Sequence, residues 1–333
     1  MICDTLKMSS YLNSQVKKVL ENIHELGYLS VYDGKIIELT PPKYVFETVA
    51  PRWPATIKYI RDYAKNHRTW QGEYFLCIYD GWREYSPFVG EKHRQYVDWD
   101  KVDPTNFIGV GIAHEPRFRH RYEDATIYPE LPLKVLTYNR HLNDRNAILI
   151  PDVEFLTTQF LNYLQQVESG DIPWEQKISK AVWRGSNLVM NENSFYDNEP
   201  ASKRNREVAV KCSKNADFRD WLDAAFVSTP ISWMLKHKYL LDIDGTVNAW
   251  SGFYWKMSSN SLVWKLETHW EQWYYNLLVP NRHFVPLAEI GQVPDVFRWC
   301  EANQTNCMAI ISDANRLVKT LTYQFAVTEY ELH

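Results

Sequence analysis

Apolar residues fall at three- and four-residue spacing along Leu12, Val16, Leu20, Ile23 and Leu26, the period of a helix that buries one stripe. Gly27 follows where a C-cap glycine belongs. The pattern then shortens. Leu29 to Leu39 carries Asp33-Gly34 between apolar pairs, which predicts a β-hairpin closed by a tight turn. A helix is expected over Ala55 to Lys65. Apolar runs too short for helices follow at Tyr74 to Tyr79, Phe107 to Ile112 and Ala147 to Ile150, and the turn residues bounding them mark strands. Leu156, Phe160, Leu164 and Val167 form a further helical stripe, closed by Ser169-Gly170.

Gly170-Asp171-Ile172-Pro173-Trp174 interrupts the alternation and suits a domain boundary. It divides the chain into an N-terminal domain, residues 1–168, and a C-terminal domain, residues 169–333. Beyond it the pattern predicts strands near Ala181 to Trp183, Tyr239 to Ile243, Leu262-Val263 and His283 to Val285. Helices are predicted near Asp217 to Ala225, Trp270 to Leu278, Asp295 to Ala302 and Met308 to Tyr323. Strands alternating with helices specify an α/β protein, with parallel sheets on both sides of the boundary. Ligands of such sheets sit outside the carboxyl ends of the strands. The expected architecture is two Rossmann-like α/β domains facing a cleft.

With 333 residues, 45% of them hydrophobic and 14 of them tryptophan, the chain has material for two cores. A net charge of -4 supplies no basic field for a nucleic-acid backbone, which argues against that partner. The cysteines Cys3, Cys77, Cys212, Cys300 and Cys307 show no metal-type spacing. Cys77, within Phe75-Leu76-Cys77-Ile78, fits a buried reduced thiol. Residues 1 to 30 show no charged start followed by an apolar segment, and no run approaches the roughly 20 apolar residues that cross a bilayer. The expectation is a cytoplasmic protein without a transmembrane segment. Peripheral membrane contact stays open, because the cluster His114, Arg117, Arg119, His120 and Arg121 would suit an acidic acceptor or a lipid head group. An aromatic share of 15% serves cores and sugar-ring faces alike.

One strand carries the chemistry: Lys238-Tyr239-Leu240-Leu241-Asp242-Ile243-Asp244-Gly245-Thr246. Asp-x-Asp-Gly-Thr-Val resembles the first motif of haloacid-dehalogenase-like phosphohydrolases, in which Asp242 would be nucleophile and Asp244 general acid/base beside Mg²⁺. That motif opens its domain, however, and too little chain follows Thr246 here. A metal-dependent sugar transferase would instead hold a divalent ion on Asp242 and Asp244, bridging the phosphates of a nucleotide sugar. Such a pair normally lies mid-domain, not two-thirds along a chain.

The surroundings favour a third reading. Ile172-Pro173-Trp174-Glu175-Gln176-Lys177-Ile178-Ser179-Lys180-Ala181-Val182-Trp183-Arg184-Gly185-Ser186 resembles the Pro-Trp-…-Lys-…-aromatic-Arg-Gly-Ser signature of glycosyltransferase family 90. Similar blocks follow in order: Lys238 to Gly245, Ser261-Leu262-Val263, Trp273-Tyr274-Tyr275, Pro280, His283-Phe284-Val285-Pro286, then Trp299, Ala302-Asn303 and Ala309. The resemblance covers roughly residues 70 to 320. It implies a GT-B fold and an inverting glycosyltransferase without a metal or other cofactor. It would move glucose or xylose from a UDP-sugar to a glycan or other hydroxyl acceptor. A catalytically silent carbohydrate-binding protein is the alternative from another class.

An inverting transferase needs a carboxylate to take the acceptor hydroxyl's proton, and donors for the charge on the departing diphosphate. Asp80 ends the strand Tyr74 to Tyr79 and precedes Gly81; the family's base occupies this position, so the resemblance makes Asp80 the catalytic base. Arg184 would pair with phosphate oxygens, with a structural ion pair as the competing expectation, and Gly185-Ser186 would let the backbone approach them. Arg206, in Lys203-Arg204-Asn205-Arg206, resembles the family's second arginine and equally fits a solvated basic run. Asp244 and Gly245 close the nucleotide-domain strand. Ser251 resembles the family serine near the diphosphate, but Gly252-Phe253 stand where the family has an arginine. Lys256 or Arg282 would have to supply that charge. Lys265 and Glu267 follow the Ser-Leu-Val strand, where Glu267 would accept a ribose or sugar hydroxyl; an exposed surface pair is the competing expectation for both. His283 suits a hydrogen-bonded structural role. Asp124 and Tyr128 resemble the family's acceptor-side block.

Overall fold

A computed structural model describes residues 26–42, 51–78, 133–142, 146–187, 201–245, 248, 251–268 and 270–332, with Ser14, Val16, Lys17, Val19 and Leu20. The chain forms two compact units: Met1–Leu156 with Asn191–Phe195 and Ala326–His333, and Thr157–Met190 with Tyr196–Phe325.

In the first unit, β1 (Leu26–Tyr32) and β2 (Lys35–Thr40) form the expected hairpin. Asp33 and Gly34 both take positive φ, 44° and 72°, as the favoured two-residue hairpin turn requires. β3 (Gly72–Cys77) pairs antiparallel with β1 and parallel with β4 (Val135–Thr137), which pairs parallel with β5 (Ala147–Leu149). The order is therefore β2-β1-β3-β4-β5. This sheet is mixed and not parallel throughout, because a tight turn can join only antiparallel strands. Gly27 lies inside β1 instead of capping a helix; a Cβ there would come within 2.8 Å of the Trp53 ring. Helix α1 (Arg52–Asn66) buries Thr56, Ile57, Tyr59, Ile60 and Tyr63. Helix α2 (Val153–Thr158) follows β5, and the Asp152 carboxylate accepts from the Glu154 and Phe155 amides at its start.

The single helix expected through Leu156 and Val167 is broken. Gln159 and Phe160 take left-handed φ values of 49° and 56°, and α3 (Leu161–Gly170) starts afresh. Phe160 is fully buried, with its ring 4.7 Å from Tyr254, and that packing offsets an unfavourable backbone.

The second unit carries β6 (Ile178–Arg184), β7 (Leu222–Ala225), β8 (His237–Asp242), β9 (Leu262–Leu266) and β10 (Val285–Leu287). All pair parallel, in the order β10-β9-β8-β6-β7. Numbered along the unit this is 2-1-3-4-5, a doubly wound order whose topological switch point falls between β6 and β8. Side chains alternate across the sheet. Ala181, Trp183, Tyr239, Leu241 and Trp264 pack with residues of α4 (Ala201–Cys212), α7 (Val293–Ala302) and α8 (Gln304–Thr320). Val182 and Leu240 meet Val167, Met234, Leu235 and Trp255, from α3, α5 (Ile231–Met234), the residue after it, and α6 (Gly252–Met257).

Two expected helices are absent. Leu222–Ala225 is β7, and Trp270 to Leu278 forms a short strand, Trp270–Gln272, and a 3₁₀ turn, Tyr275–Leu277. Among the described residues Cys212, Cys300 and Cys307 are free thiols, Cys77 is buried, and no helix is long and apolar enough to cross a membrane.

Candidate active site

β6 and β8 run side by side and end together. β6 leads into Gly185-Ser186 and β8 into Ile243-Asp244-Gly245. Arg206, on α4, ties the two ends. Its Nε donates to Asp244 O at 2.7 Å, Nη1 to Ser186 O at 3.0 Å and Nη2 to Ile243 O at 3.3 Å. Its guanidinium lies 5.3 Å from the Trp183 ring. Arg206 thus belongs to the edge of the sheet and not to a solvated run. Burial pulls its pKa down, and Asp242 and Asp244 oppose that pull. Gly185 is constrained by Trp183, since a Cβ at 185 would lie 2.6 Å from that ring. The close approach this glycine permits is to an indole.

Beside this junction four charges are buried together. Lys256 Nζ, on α6, donates to Asp242 Oδ1 at 2.5 Å, and Lys265 Nζ, on β9, donates to Asp242 Oδ2 at 2.8 Å. Lys265 also donates to the Asp244 carboxylate, and Thr268 Oγ1 donates to its second oxygen. Burial alone would push the Asp242 carboxyl up, but Lys256 and Lys265 hold it well below the usual carboxylate range. Burial would likewise lower Lys265; Asp242 and Asp244 hold it above the ordinary lysine value.

This arrangement does not fit a metal. The Lys265 ammonium bonds both carboxylates, and a divalent ion bridging Asp242 and Asp244 would need the same oxygens. Each Asp242 oxygen accepts from a lysine, so the carboxylate is held as the shared partner of two buried cations. Among the described residues no group of three or more His, Cys, Asp or Glu side chains gathers elsewhere for a metal.

Arg184 is engaged elsewhere. Its Nη2 pairs with Asp223 Oδ2 at 2.8 Å, Nη1 donates to Asp223 O at 2.8 Å and to Trp183 O at 2.9 Å, and the guanidinium lies 4.3 Å over the Trp233 ring. That is the structural ion pair which competes with phosphate binding for this side chain. Ser251 is buried at the start of α6. Glu267 is exposed just past β9, while Lys265 is buried, so the two are not the surface pair that their spacing allowed. His283 Nδ1 accepts from the Val279 amide at 2.9 Å, and burial keeps its pKa below the ordinary histidine value, which suits a structural role. Arg282 pairs with Asp313 at 3.1 Å on the surface. Asp80, Asp124 and Tyr128 lie outside the described residues. The structure brings together Ser186, Arg206, Asp244 and Lys256, and adds Asp242, Lys265 and Thr268.

A model of glycosyl transferase family 90 matches residues 116–333, more than half of the 333-residue chain. The chain belongs to that family. It is 25% identical over 181 residues to the uncharacterized protein 035R of Invertebrate iridescent virus 3, covering 48% of this chain and 16% of the viral one. It is 23% identical over 205 residues to protein O-glucosyltransferase 2 of Danio rerio, covering 54% of this chain and 37% of that protein. It is 29% identical over 87 residues to protein O-glucosyltransferase 3 of Mus musculus, covering 26% and 17% of the two chains. The chain therefore spans well under half the length of each of these relatives.

Proposed function

We propose that this protein transfers a sugar, glucose or xylose, from a UDP-sugar to a hydroxyl of a glycan or other acceptor, with inversion and without a metal. The observation that carries the reading is the convergence of Ser186, Arg206, Asp244 and Lys256 on the switch point of a 2-1-3-4-5 parallel sheet, the place where such sheets take nucleotides. Membership of the family and the similarity to two protein O-glucosyltransferases support it. In this reading the fold is of the GT-B kind.

The chemistry follows from charge. As the acceptor oxygen bonds to the anomeric carbon, its proton passes to the Asp80 carboxylate and the bond from that carbon to the diphosphate breaks. The electron pair leaves with UDP, whose growing charge needs fixed cations. Arg206 and Lys256 supply them, with Ser251 and the backbone around Gly185-Ser186 as neutral donors. Lys256 takes the part for which the Gly252-Phe253 sequence offers no cation. Lys265 does between Asp242 and Asp244 what an ion does in metal-dependent transferases, and this supports metal independence.

The test is UDP release from UDP-glucose and UDP-xylose with EDTA present, run beside Asp80→Asn. Turnover in chelator that falls by about 10²-fold or more in the variant is expected, given the size of general-base catalysis. Full turnover in Asp80→Asn would remove the base assignment. Activity lost to EDTA and restored by Mg²⁺ would remove the metal-free mechanism.

A further inference from the structure

Tyr275 opens the 3₁₀ turn Tyr275–Leu277 and its ring is wedged among Phe253, Tyr274 and Lys265. The Phe253 and Tyr274 rings lie 5.7 Å and 5.2 Å from it, and Lys265 Nζ stands 6.0 Å from its centroid. Phe253 in turn packs on Phe284 at 5.6 Å and carries Lys265 Nζ at 5.2 Å over its face. The ring is thus held tightly beside the Asp242–Lys265–Asp244 cluster. Its hydroxyl is different. It is shielded from solvent, and among the described residues no group hydrogen-bonds to it. Burial, followed by Asp244 and Asp242, raises the phenol well above its ordinary pKa, so the group stays a neutral O–H donor.

A shielded hydroxyl without an acceptor costs stability on the order of 1–3 kcal/mol. Phenylalanine would fill the same space at no such cost. Retention of the oxygen needs a reason outside the resting fold. The position supplies one, since Lys265 beside the ring bonds Asp242, the carboxylate that also holds Lys256, and Lys256 would face an oxygen-rich anion.

Resting on the donor-site reading above, we propose that Tyr275 contacts the ligand, its O–H donating to an oxygen of the nucleotide sugar. Two sources of that oxygen share the chemistry: the diphosphate and a sugar hydroxyl. The residue is then a donor-binding determinant of this chain's own site, seated against Phe253.

Calorimetric titration of the full chain with UDP, UDP-glucose and UDP-xylose separates the possibilities, with Tyr275→Phe compared to the unaltered protein. One neutral hydrogen bond is worth about 1 kcal/mol, so affinity should fall roughly 5- to 10-fold. Loss toward UDP itself assigns the contact to the diphosphate; loss confined to the UDP-sugars assigns it to the sugar. Without nucleotide, the variant's Tm should match or exceed that of the unaltered protein, because only an unpaired oxygen has gone. Equal affinities in the two proteins would overturn the inference while leaving the donor site intact. A Tm several degrees lower would also overturn it, by showing the hydroxyl to be structural. An unaltered protein that binds none of the three probes would refute the donor site, and this contact with it.

Discussion

Asp152 in the first unit and Asp242 in the second are 4% and 6% exposed, and each stands at or just beyond the carboxyl end of a parallel strand. Asp152 Oδ1 accepts from the Glu154 and Phe155 amides at 3.0 Å and 3.1 Å, and among the described residues its Oδ2 has no hydrogen-bond partner. Burial pushes that carboxyl up to about 7, against the pull of the amides. Asp242 is as deeply buried, yet Lys256 and Lys265 reverse the shift and keep it ionised. A buried carboxyl either finds cations or keeps its proton. The second unit took the first course, and it sets two lysines beside the carboxyl ends of β8 and β9.

The same substitution at the two positions should therefore act in opposite directions. Asp242→Asn leaves Lys256 and Lys265 short of their shared counter-ion inside the sheet, and removing one partner of a buried pair typically costs about 3–5 kcal/mol. Urea unfolding at pH 7 should show that loss. The unaltered cluster also has a defined pH range. The depressed Asp242 contributes stability above the unfolded value of 3.8 that disappears as pH falls through its folded value, and the raised Lys265 contributes below 10.5 and fails only as pH rises beyond. A cost under about 1 kcal/mol for Asp242→Asn would mean that the lysines are not held by it.

Asp152→Asn should do the reverse. Between 3.8 and about 7 the folded chain keeps a proton that the unfolded chain has released, so unaltered stability declines as pH rises across that window and stays low above it. Asparagine retains an oxygen for the Glu154 and Phe155 amides, a good cap in its own right, and carries no charge to bury. The variant should lose this decline and gain on the order of 1–3 kcal/mol at pH 8. Amide exchange at Glu154 and Phe155 reports it locally. Parallel pH profiles for the two proteins would show that Asp152 does not titrate in this range.

Much of this contrast was legible as pattern, and the rest was not for physical reasons. β8 stood out as an apolar run ending in acids, and β3 and β5 as short apolar runs, because burial on two faces leaves no polar alternation. Lys265 carries a signal of its own: a lysine inside Leu262-Val263-Trp264-Lys265-Leu266 must be buried if that strand is central. α4 gave none, since Ala201 to Glu207 is mostly polar and its apolar residues bunch at one end. β7 was hidden by Phe218, Trp221, Leu222 and Phe226, which mimic helical spacing while packing against the core as a turn and a strand. The Arg-Gly-Ser resemblance named a residue type but not a direction. Strand alternation puts Arg184 on the face of Val182, where Trp233 and Asp223 hold it.

Arg184 and Asp223 supply the intermediate case, a pair with one member in water. Their side chains are 9% and 39% exposed. An aspartate so open to solvent loses little hydration on pairing and gains little from the cation, and such pairs contribute about 0–1 kcal/mol. Asp223→Asn should therefore lower stability by less than about 1 kcal/mol, and raised salt should shrink even that. The arginine keeps the Asp223 and Trp183 carbonyls and the Trp233 face in the variant. No longer neutralised by a carboxylate, its guanidinium has more positive charge to offer an anion. UDP affinity that rises in Asp223→Asn would place Arg184 within reach of the diphosphate. Unchanged affinity would leave the phosphate charge to Arg206 and Lys256, and the role of Arg184 to the edge of β6.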